Sequence, residues 1–162
     1  MKKVAILMGS DSDLPIIKKA TDMLSSFGIP FEVHVYSAHR MPGYVREFVS
    51  SARENGFGVI IAAAGMAAHL AGVCASYTTL PVIGIPCKSA AREGIDALLA
   101  TVQMPSGIPV ATVAIDGGTN AAILAAQMLA IEDAELAKKL ADKRAADAEK
   151  IIEKDRDIMA RL

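Results

Sequence analysis

Three side chains suited to catalysis or ligand binding stand within four residues, in the motif Ser37-Ala38-His39-Arg40. The motif follows a strand-like run at residues 31–36 and precedes a helix that Pro42 can start. In open α/β sheets, ligands bind at the carboxyl ends of the strands. Arg40 therefore indicates an anionic ligand, and His39 indicates proton transfer near neutral pH. The alternative is that His39 only hydrogen-bonds a loop, and the local pattern does not separate the two.

A second candidate site follows the apolar run at residues 4–8, in the motif Gly9-Ser10-Asp11-Ser12-Asp13. Its glycine lets a ligand approach the backbone, and free amides at a helix start, beside two serine hydroxyls, form a plausible phosphate cradle. Because the two carboxylates repel phosphate, one of them must cap the helix or hold a neutral part of the ligand, such as a ribose hydroxyl. An ordinary helix cap is the alternative interpretation.

A third candidate site follows the apolar run at residues 59–64, in the motif Gly65-Met66-Ala67-Ala68-His69-Leu70-Ala71-Gly72. Small side chains let a backbone come close to a ligand or to another subunit. His69 is the only polar side chain in this motif. A satisfied core histidine and a functional histidine both fit the pattern.

The elements that must position these motifs form an α/β pattern. Continuous apolar runs predict buried strands at residues 4–8, 31–36, 59–64, 80–86 and 110–115, with prolines limiting the fourth. Helices are predicted at residues 14–27, 43–54, 92–101 and 121–131, with Gly28 ending the first. This alternation predicts a three-layer αβα fold with a flavodoxin-like, doubly wound parallel sheet.

Residues 133–161 form one long helical pattern without Gly or Pro. At ~1.5 Å per residue such a helix is about 43 Å long, so it should extend beyond a small domain ~30 Å across. We expect one domain, with an α/β core at 1–131 and a helical arm at 132–162. We favour an arm packed partly on a neighbouring subunit over a solvated amphipathic helix. The apolar stripe for this packing comprises Leu136, Leu140, Ile151, Ile152, Ile158 and Met159.

The composition favours an oligomer and gives no sign of nucleic acid or membrane as a partner. Counting Gly in place of Tyr raises the apolar share from 52% to about 57%, above the typical 45–50%, which predicts large subunit interfaces. The longest apolar runs, about seven or eight residues, are far below the ~20 that a spanning helix needs. A net charge of -1 gives no electrostatic footprint for nucleic acid.

The cysteines and the amino terminus predict a cytoplasmic protein. Cys74 and Cys87 stand alone without zinc-type spacing, as suits a reducing compartment. The sequence Met1-Lys2-Lys3 leads directly into the first strand, so no secretory signal is expected.

Taken together, the motifs resemble those of the class I PurE family of purine biosynthesis, over about residues 3–131. The family patterns Gly-Ser-x-Ser-Asp, Ser-Ala-His-Arg-Thr-Pro and Gly-Gly-Ala-Ala-His-Leu-Pro-Gly match here at residues 9–13, 37–42 and 65–72, and residues 102–110 and 120–121 continue the match. This chain departs from the family at Met41, Met66 and Ala71, where Thr, Gly and Pro are typical. Met66 adds bulk where the family backbone approaches the substrate.

The resemblance implies a 5-(carboxyamino)imidazole ribonucleotide mutase, which moves a carboxylate from an exocyclic nitrogen to ring carbon 4 without ATP, metal or organic cofactor. It implies an octamer. The related class II enzymes carboxylate aminoimidazole ribonucleotide with carbon dioxide directly, typically carry Ser-Ala-His-Lys and lack the Ala-Ala-His motif. Arg40 and Ala67-Ala68-His69 therefore favour class I. Direct carboxylation remains one alternative, and a non-catalytic flavodoxin-like nucleotide-binding module is another.

The same resemblance implies roles for individual residues. His39 would shuttle the proton. Ser37 would orient the His39 imidazole or hydrogen-bond the ring. Phosphate would bind to Ser10, Ser12 and Arg40, and ribose to Asp13. The remaining substrate-binding positions, several of which would border the migrating carboxylate, are Gly9, Ala64, Gly65, Ala68, His69 and Leu70.

Overall fold

Five parallel strands form the centre of the computed structural model, which describes residues 1–89 and 92–162 and, for Met159, the backbone only. They are β1 (Lys3–Met8), β2 (Phe31–Val35), β3 (Phe57–Gly65), β4 (Val82–Cys87) and β5 (Ala111–Thr112). Their order across the sheet is β2-β1-β3-β4-β5, and every pair is parallel. The predicted flavodoxin-like sheet is therefore confirmed.

Helices cover both faces of this sheet and complete the three layers. They are α1 (Leu14–Phe27), α2 (Pro42–Ser51), α3 (Leu70–Tyr77), α4 (Ile95–Val102), α5 (Gly118–Leu129) and α6 (Ala134–Met159), and a single 3-10 turn at Asp11–Asp13 precedes α1. One core cluster contains α1 and α5, and the other contains α2 and α3. No helix in the described part of the chain has both the length and the apolar character needed to cross a membrane.

The central strand β1 shows why its sequence is continuously apolar. Val4, Ile6 and Met8 belong to the core on the α1 and α5 face, whereas Ala5 and Leu7 belong to the core on the α2 and α3 face. Successive strand side chains point to opposite faces, so a strand covered on both sides needs an apolar residue at every position.

The helix boundary at Gly28 is as predicted. Gly28 has φ 74°, and its N–H donates to the carbonyls of Leu24 and Ser25. This left-handed conformation favours glycine and ends α1 directly before the turn into β2.

The last two strands depart from their predicted bounds. Pro86 lies inside β4 instead of limiting it. The Pro86 carbonyl points to the β5 side of β4 and accepts from Asp116 N. The pairing of β4 with β5 has already ended at Gly84. Because no strand lies beside Pro86 on that side, its missing N–H removes no hydrogen bond of the sheet. The strand β5 covers only two residues because the chain soon turns. Gly117 N donates to the Ala114 carbonyl, and Asp116 adopts φ 57°.

Two helices are also shorter than predicted. The helix α2 ends at Ser51 rather than at residue 54, because the chain turns there towards β3. The helix α4 begins at Ile95 rather than at residue 92, and Gly94 before it has φ 91°, a conformation that an α-helix cannot contain.

The helix α6 extends beyond the core, as predicted. The Asp133 carboxylate caps its start by accepting from Leu136 N at 3.0 Å. Its 26 residues span about 39 Å at ~1.5 Å each. Leu136 is buried and Leu140 partly buried, but residues 144–158 are all exposed, including Ile151 at 63%. The side chain of Met159 lies outside the described residues, and packing on a neighbouring subunit remains a prediction.

A substitution at the contact between α1 and α5 tests this packing. A Cβ at Gly118 would overlap the backbone carbonyl of Ile16. We expect Gly118→Ala to lower the free energy of unfolding by about 1–3 kcal/mol, as overpacking does. The control is Gly43→Ala in α2, where a Cβ meets no atom within 4 Å, and it should be neutral or stabilising by ~0.5–1 kcal/mol. Equal urea midpoints for the two variants would contradict the packing described here.

Candidate active site

Loops at the carboxyl ends of β1, β2, β3 and β4 surround a cavity of about 520 Å³. Ten of the twelve predicted site residues line it: Gly9, Ser10, Ser12, Asp13, His39, Arg40, Ala64, Gly65, His69 and Leu70. Ser37 and Ala68 are buried and do not line it. The three motifs, far apart in sequence, therefore meet at one edge of the sheet.

A hydrogen bond joins the two histidines of the cavity. His39 Nε2 lies 2.8 Å from His69 Nδ1, and the two rings are nearly perpendicular, with an interplanar angle of 82°. One of these nitrogens must carry the hydrogen and the other must accept it, so both rings cannot be doubly protonated while the bond exists. The pair is therefore a site that can hold one transferable proton. His69 therefore lies at the cavity, in contact with His39, and is not a buried core histidine.

The loop after β2 is held by its serine. Ser37 Oγ accepts from Arg40 N at 3.2 Å, and the Ser37 carbonyl accepts from Met41 N at 2.8 Å. These bonds close a turn that carries His39 at its centre. Ser37 thus contacts the backbone of the turn that carries His39.

The loop after β3 has an unusual backbone. Met66 has φ 55°, and two short-range bonds follow it, from Ala68 N to the Met66 carbonyl and from His69 N to the Ala67 carbonyl. The left-handed conformation costs a residue other than glycine about 1–2 kcal/mol. The tight turn leads directly into α3 and places His69 beside His39.

The hydrogen bonds in the loop after β1 show which of its polar side chains cap a helix. Ser10 Oγ caps the 3-10 turn by accepting from Ser12 N at 3.3 Å, and it lies 3.2 Å from Asp11 Oδ1. Asp13 makes no side-chain capping bond to α1. Asp13 therefore lines the cavity without a capping role for its side chain.

Arg40 connects the loops after β1 and β2. Its Nη2 donates to the Gly9 carbonyl at 2.8 Å. A guanidinium carries five N–H donors, so this bond orients the group and leaves further donors for an anion.

Burial sets the electrostatics of Asp13. This residue is only 8% exposed, and desolvation raises the pKa of its carboxyl above the ordinary 3.8, with the nearby charges of Asp116 and Asp11 adding to the effect. Hydrogen bonds from the Ser10 backbone and the Cys87 thiol act in the opposite direction. Burial and the charges of Asp13 and Asp116 raise the pKa of the Cys87 thiol, which keeps it protonated.

The structure adds cavity residues that the sequence interpretation missed. Lys88 and Ser89 line the cavity from the loop after β4. Lys88 N donates to Asp116 Oδ1 at 2.8 Å, and the exposed Lys88 ammonium pairs with the Glu93 carboxylate, which raises the lysine pKa. The sequence signal that could have identified Lys88 and Ser89 as cavity residues is their position directly after a buried strand. Ala38, Met66 and Ala67 also line the cavity, from inside motifs already singled out.

A second cavity, of about 630 Å³, lies near the amino ends of the strands. Its lining includes Lys2, Arg53 and Ile131 but, within the described residues, no histidine, serine or cysteine. The three motifs and the histidine pair lie at the opposite end of the sheet, so the candidate site is the cavity at the carboxyl ends. In residues 1–89 and 92–162, no group of three or more His, Cys, Asp or Glu side chains is arranged to hold a metal ion.

The raised pKa of Asp13 predicts a stability difference that depends on pH. Burial disfavours the ionised form, so the carboxyl contributes stability below its unfolded pKa of about 3.8 and loses it as pH rises through the raised value. Asp13→Asn should therefore gain stability relative to the wild type between acid and neutral pH, as measured by urea unfolding. The exposed Asp11→Asn controls for net charge. A difference between Asp13→Asn and the wild type that is constant with pH would refute the burial effect.

Comparison with known proteins finds relatives that match most of the chain. The AIR carboxylase family model matches residues 3–150. The N5-carboxyaminoimidazole ribonucleotide mutase of Pyrococcus horikoshii is 57% identical over 137 residues, covering 85% of this chain and 77% of the relative. The Thermotoga maritima protein of the same name is 49% identical over 154 residues, covering 95% and 90%.

A solved structure agrees in both fold and sequence. The crystal structure of Treponema denticola PurE superimposes with a TM-score of 0.86 and 32% sequence identity, covering 94% of this chain and 95% of that one. Because the family match spans most of the sequence and includes all three motifs of the cavity, the chain belongs to the AIR carboxylase family.

Proposed function

We propose that this chain is an N5-carboxyaminoimidazole ribonucleotide mutase of purine biosynthesis, an isomerase that moves the substrate carboxylate from the exocyclic nitrogen to ring carbon 4. Relatives of that name are 49% and 57% identical to it. The observation that carries the proposal is the bond between His39 Nε2 and His69 Nδ1, in a cavity that also contains the Ser10 and Ser12 hydroxyls and Arg40. This combination fits a reaction that needs one mobile proton and a phosphorylated substrate.

The reaction requires two proton transfers. A proton must reach the exocyclic nitrogen as its carboxylate leaves as carbon dioxide, and a proton must later leave carbon 4 after that carbon has attacked the gas. One imidazole can perform both transfers, because its ordinary pKa lies near 7. We assign this role to His39, and His69 Nδ1 is the partner that holds His39 Nε2 in position between turnovers.

The remaining lining residues account for binding. Ser10, Ser12 and Arg40 are assigned to the phosphate, for which charged and hydroxyl donors are suited. Asp13, which does not cap α1, is assigned to the ribose hydroxyls. The ring and the migrating carboxylate are assigned to the small or apolar positions beside His69, namely Gly9, Ala64, Gly65, Ala68 and Leu70. Confinement matters because free carbon dioxide diffuses away from the ring.

Two alternatives from the sequence are less favoured. Direct carboxylation of aminoimidazole ribonucleotide by carbon dioxide would use much of the same cavity, but Arg40 and Ala67-Ala68-His69 follow the class I pattern. A non-catalytic nucleotide-binding module would share the fold, yet it gives no purpose to a histidine pair inside the cavity.

The proposal also covers the assembly, localisation, cofactors and partners of the chain. We propose a cytoplasmic homo-octamer of single-domain subunits, each with a core at 1–131 and an arm at 132–162, that needs neither metal nor organic cofactor and binds neither nucleic acid nor membrane. Large apolar side chains on the surface of the isolated subunit support the oligomer: Tyr44, Ile95, Leu99, Val102 and Ile131.

Removing the proton carrier tests the chemistry. His39→Asn should keep the fold and substrate binding but reduce turnover at least about 100-fold, the lower end of acid–base contributions. Ultraviolet-monitored turnover and direct binding measurements check this. The matched control is His34→Asn on β2, a histidine that pairs with Glu32 outside the cavity and should keep most activity. Near-normal turnover by His39→Asn would remove His39 from the mechanism.

Removing the guanidinium tests the assignment of the phosphate. Arg40→Ala should weaken binding of the phosphorylated substrate by about ten- to a hundredfold, since a hydrogen bond to a charged group contributes ~1.5–3 kcal/mol. Binding of the dephosphorylated nucleoside should change much less. Arg46→Ala, on the exposed face of α2, controls for the loss of positive charge. An equal loss for both ligands would argue against a phosphate role.

A further inference from the structure

The loop after β4 supplies two residues of the cavity to which no role has been assigned. Lys88 and Ser89 line the cavity and follow directly after Cys87, the last residue of β4. An ammonium and a hydroxyl are donors of the same kind as those that Arg40 and Ser10 bring from the loops after β2 and β1. The loop after β4 therefore carries donors suited to an anion.

Asp116 fixes the backbone of this loop at the cavity. Lys88 N donates to Asp116 Oδ1 at 2.8 Å, and Asp116 N donates to the Pro86 carbonyl at 2.9 Å. Asp116 has φ 57°, a conformation that is strained for a residue other than glycine. Because only the backbone of Lys88 takes part in these bonds, its side chain can change partner while the residue stays at the cavity.

The present partner of the Lys88 ammonium is the Glu93 carboxylate, and Glu93 does not line the cavity. The two side chains are 53% and 72% exposed. An ion pair this exposed to water is weak, because both charges remain well solvated when they separate. An anion bound in the cavity can therefore compete with Glu93 for the ammonium.

The Ser89 hydroxyl provides a second, independent observation. Its Oγ is buried and has no hydrogen-bond partner among the residues that the structure describes. Buried polar atoms without a partner are rare in proteins, because they lose their bonds to water without replacement. Since Ser89 lines the cavity, and rotation about one side-chain bond redirects a serine hydroxyl, a ligand there can supply the acceptor.

The charges around the cavity favour a second cation. The proposed substrate carries a phosphate and a carboxylate, and this inference rests on that proposed function. Among the described lining residues, Arg40 and Lys88 are the two whose side chains stay cationic well above neutral pH. Asp13 also lines the cavity, and the charges of Asp11 and Asp116 lie near it. These carboxylates repel an anionic ligand, so a cation in addition to Arg40 favours its binding.

We propose that Lys88 and Ser89 form a second anion-binding position of the cavity, and that Glu93 holds the Lys88 ammonium until the substrate displaces it. Binding exchanges the Glu93 carboxylate for oxygens of the substrate phosphate or carboxylate, which also accept from the Ser89 hydroxyl. Glu93 is thus an internal competitor that lowers the affinity for substrate. Lys88 and Ser89 are binding residues, and the proton transfers stay with His39.

The test measures affinity for four ligands that differ only in their anionic groups. They are 4-carboxy-5-aminoimidazole ribonucleotide, aminoimidazole ribonucleotide and the two corresponding dephosphorylated nucleosides, each titrated by calorimetry. The variants are Lys88→Met, Ser89→Ala, Glu93→Gln and the double variant Lys88→Met with Glu93→Gln. The matched control is Lys18→Met with Asp22→Asn, an exposed ion pair on α1 outside the cavity. Circular dichroism and light scattering compare the fold and the assembly of each variant with the wild type.

Lys88→Met should weaken binding of the carboxylated ribonucleotide about tenfold, because a charged donor is lost, while kcat changes much less. Ser89→Ala should weaken it by a smaller factor. Glu93→Gln should strengthen binding about two- to fivefold, as release from a weak exposed pair allows, and this gain should vanish in the double variant. The control should bind like the wild type.

The four ligands identify the anion. Weaker binding of aminoimidazole ribonucleotide by Lys88→Met assigns the position to the phosphate, whereas a loss confined to the two carboxylated ligands assigns it to the carboxylate. An equal loss for the nucleoside that has neither anion overturns the proposal, as does a Glu93→Gln gain that persists in the double variant. Unchanged affinity in Glu93→Gln alone also overturns it, so the test stands even if Lys88→Met misfolds.

Failure of this proposal is distinguishable from failure of the proposed function. A wild-type protein that isomerises its substrate, while the Lys88 and Glu93 variants bind all four ligands normally, overturns only the second anion-binding position. A wild-type protein that binds the ribonucleotides but does not isomerise them overturns the proposed function alone. A wild-type protein that binds none of the four ligands overturns both.

Discussion

The hydrogen bond between His39 and His69 requires two loops separated by 30 residues in sequence to meet within 2.8 Å. The strand order makes this possible, because β1 lies between β2 and β3 and its loop lies between theirs. Gly9 N bonds to the β3 carbonyl of Ala63, and the Gly9 carbonyl accepts from Arg40. The parallel sheet therefore positions His39, His69 and Arg40, because it brings the carboxyl ends of three adjacent strands together.

The cavity has a polar part and an apolar part, and the residues of each part determine what it can bind. Hydroxyls, a guanidinium and a helix start make one part suited to an anion. Small apolar residues around Gly65 make the other part suited to a neutral gas and a flat ring. Asp13 is buried beside these groups, and this burial disfavours the charged carboxylate and raises its pKa. The division matches a phosphorylated substrate whose reacting atoms must be kept from water.

Much of the fold and of the cavity could be predicted from sequence, because apolar runs mark strands and polar motifs directly follow them. The contacts between these elements could not be predicted from the sequence. The pairing of His69 with His39, the bond of Ser37 to the Arg40 backbone, and the positive φ values of Met66 and Asp116 depend on tertiary structure. The short β5 follows from the turn at Asp116, where the sequence carries an ordinary apolar run up to Ile115. Lys88 and Ser89 were identifiable in principle, since they also follow a strand, but no motif marked them.

The proposed isomerisation is tested most simply by giving two substrates to the wild-type protein, in the absence of ATP and added metal. One reaction starts from the N-carboxylated ribonucleotide, and the other starts from aminoimidazole ribonucleotide with bicarbonate and carbon dioxide, each followed in the ultraviolet. We expect rapid, reversible conversion of the N-carboxylated substrate to its carbon-carboxylated isomer, and much slower product formation from the other mixture. A folded protein that forms product only from aminoimidazole ribonucleotide and carbon dioxide would contradict it.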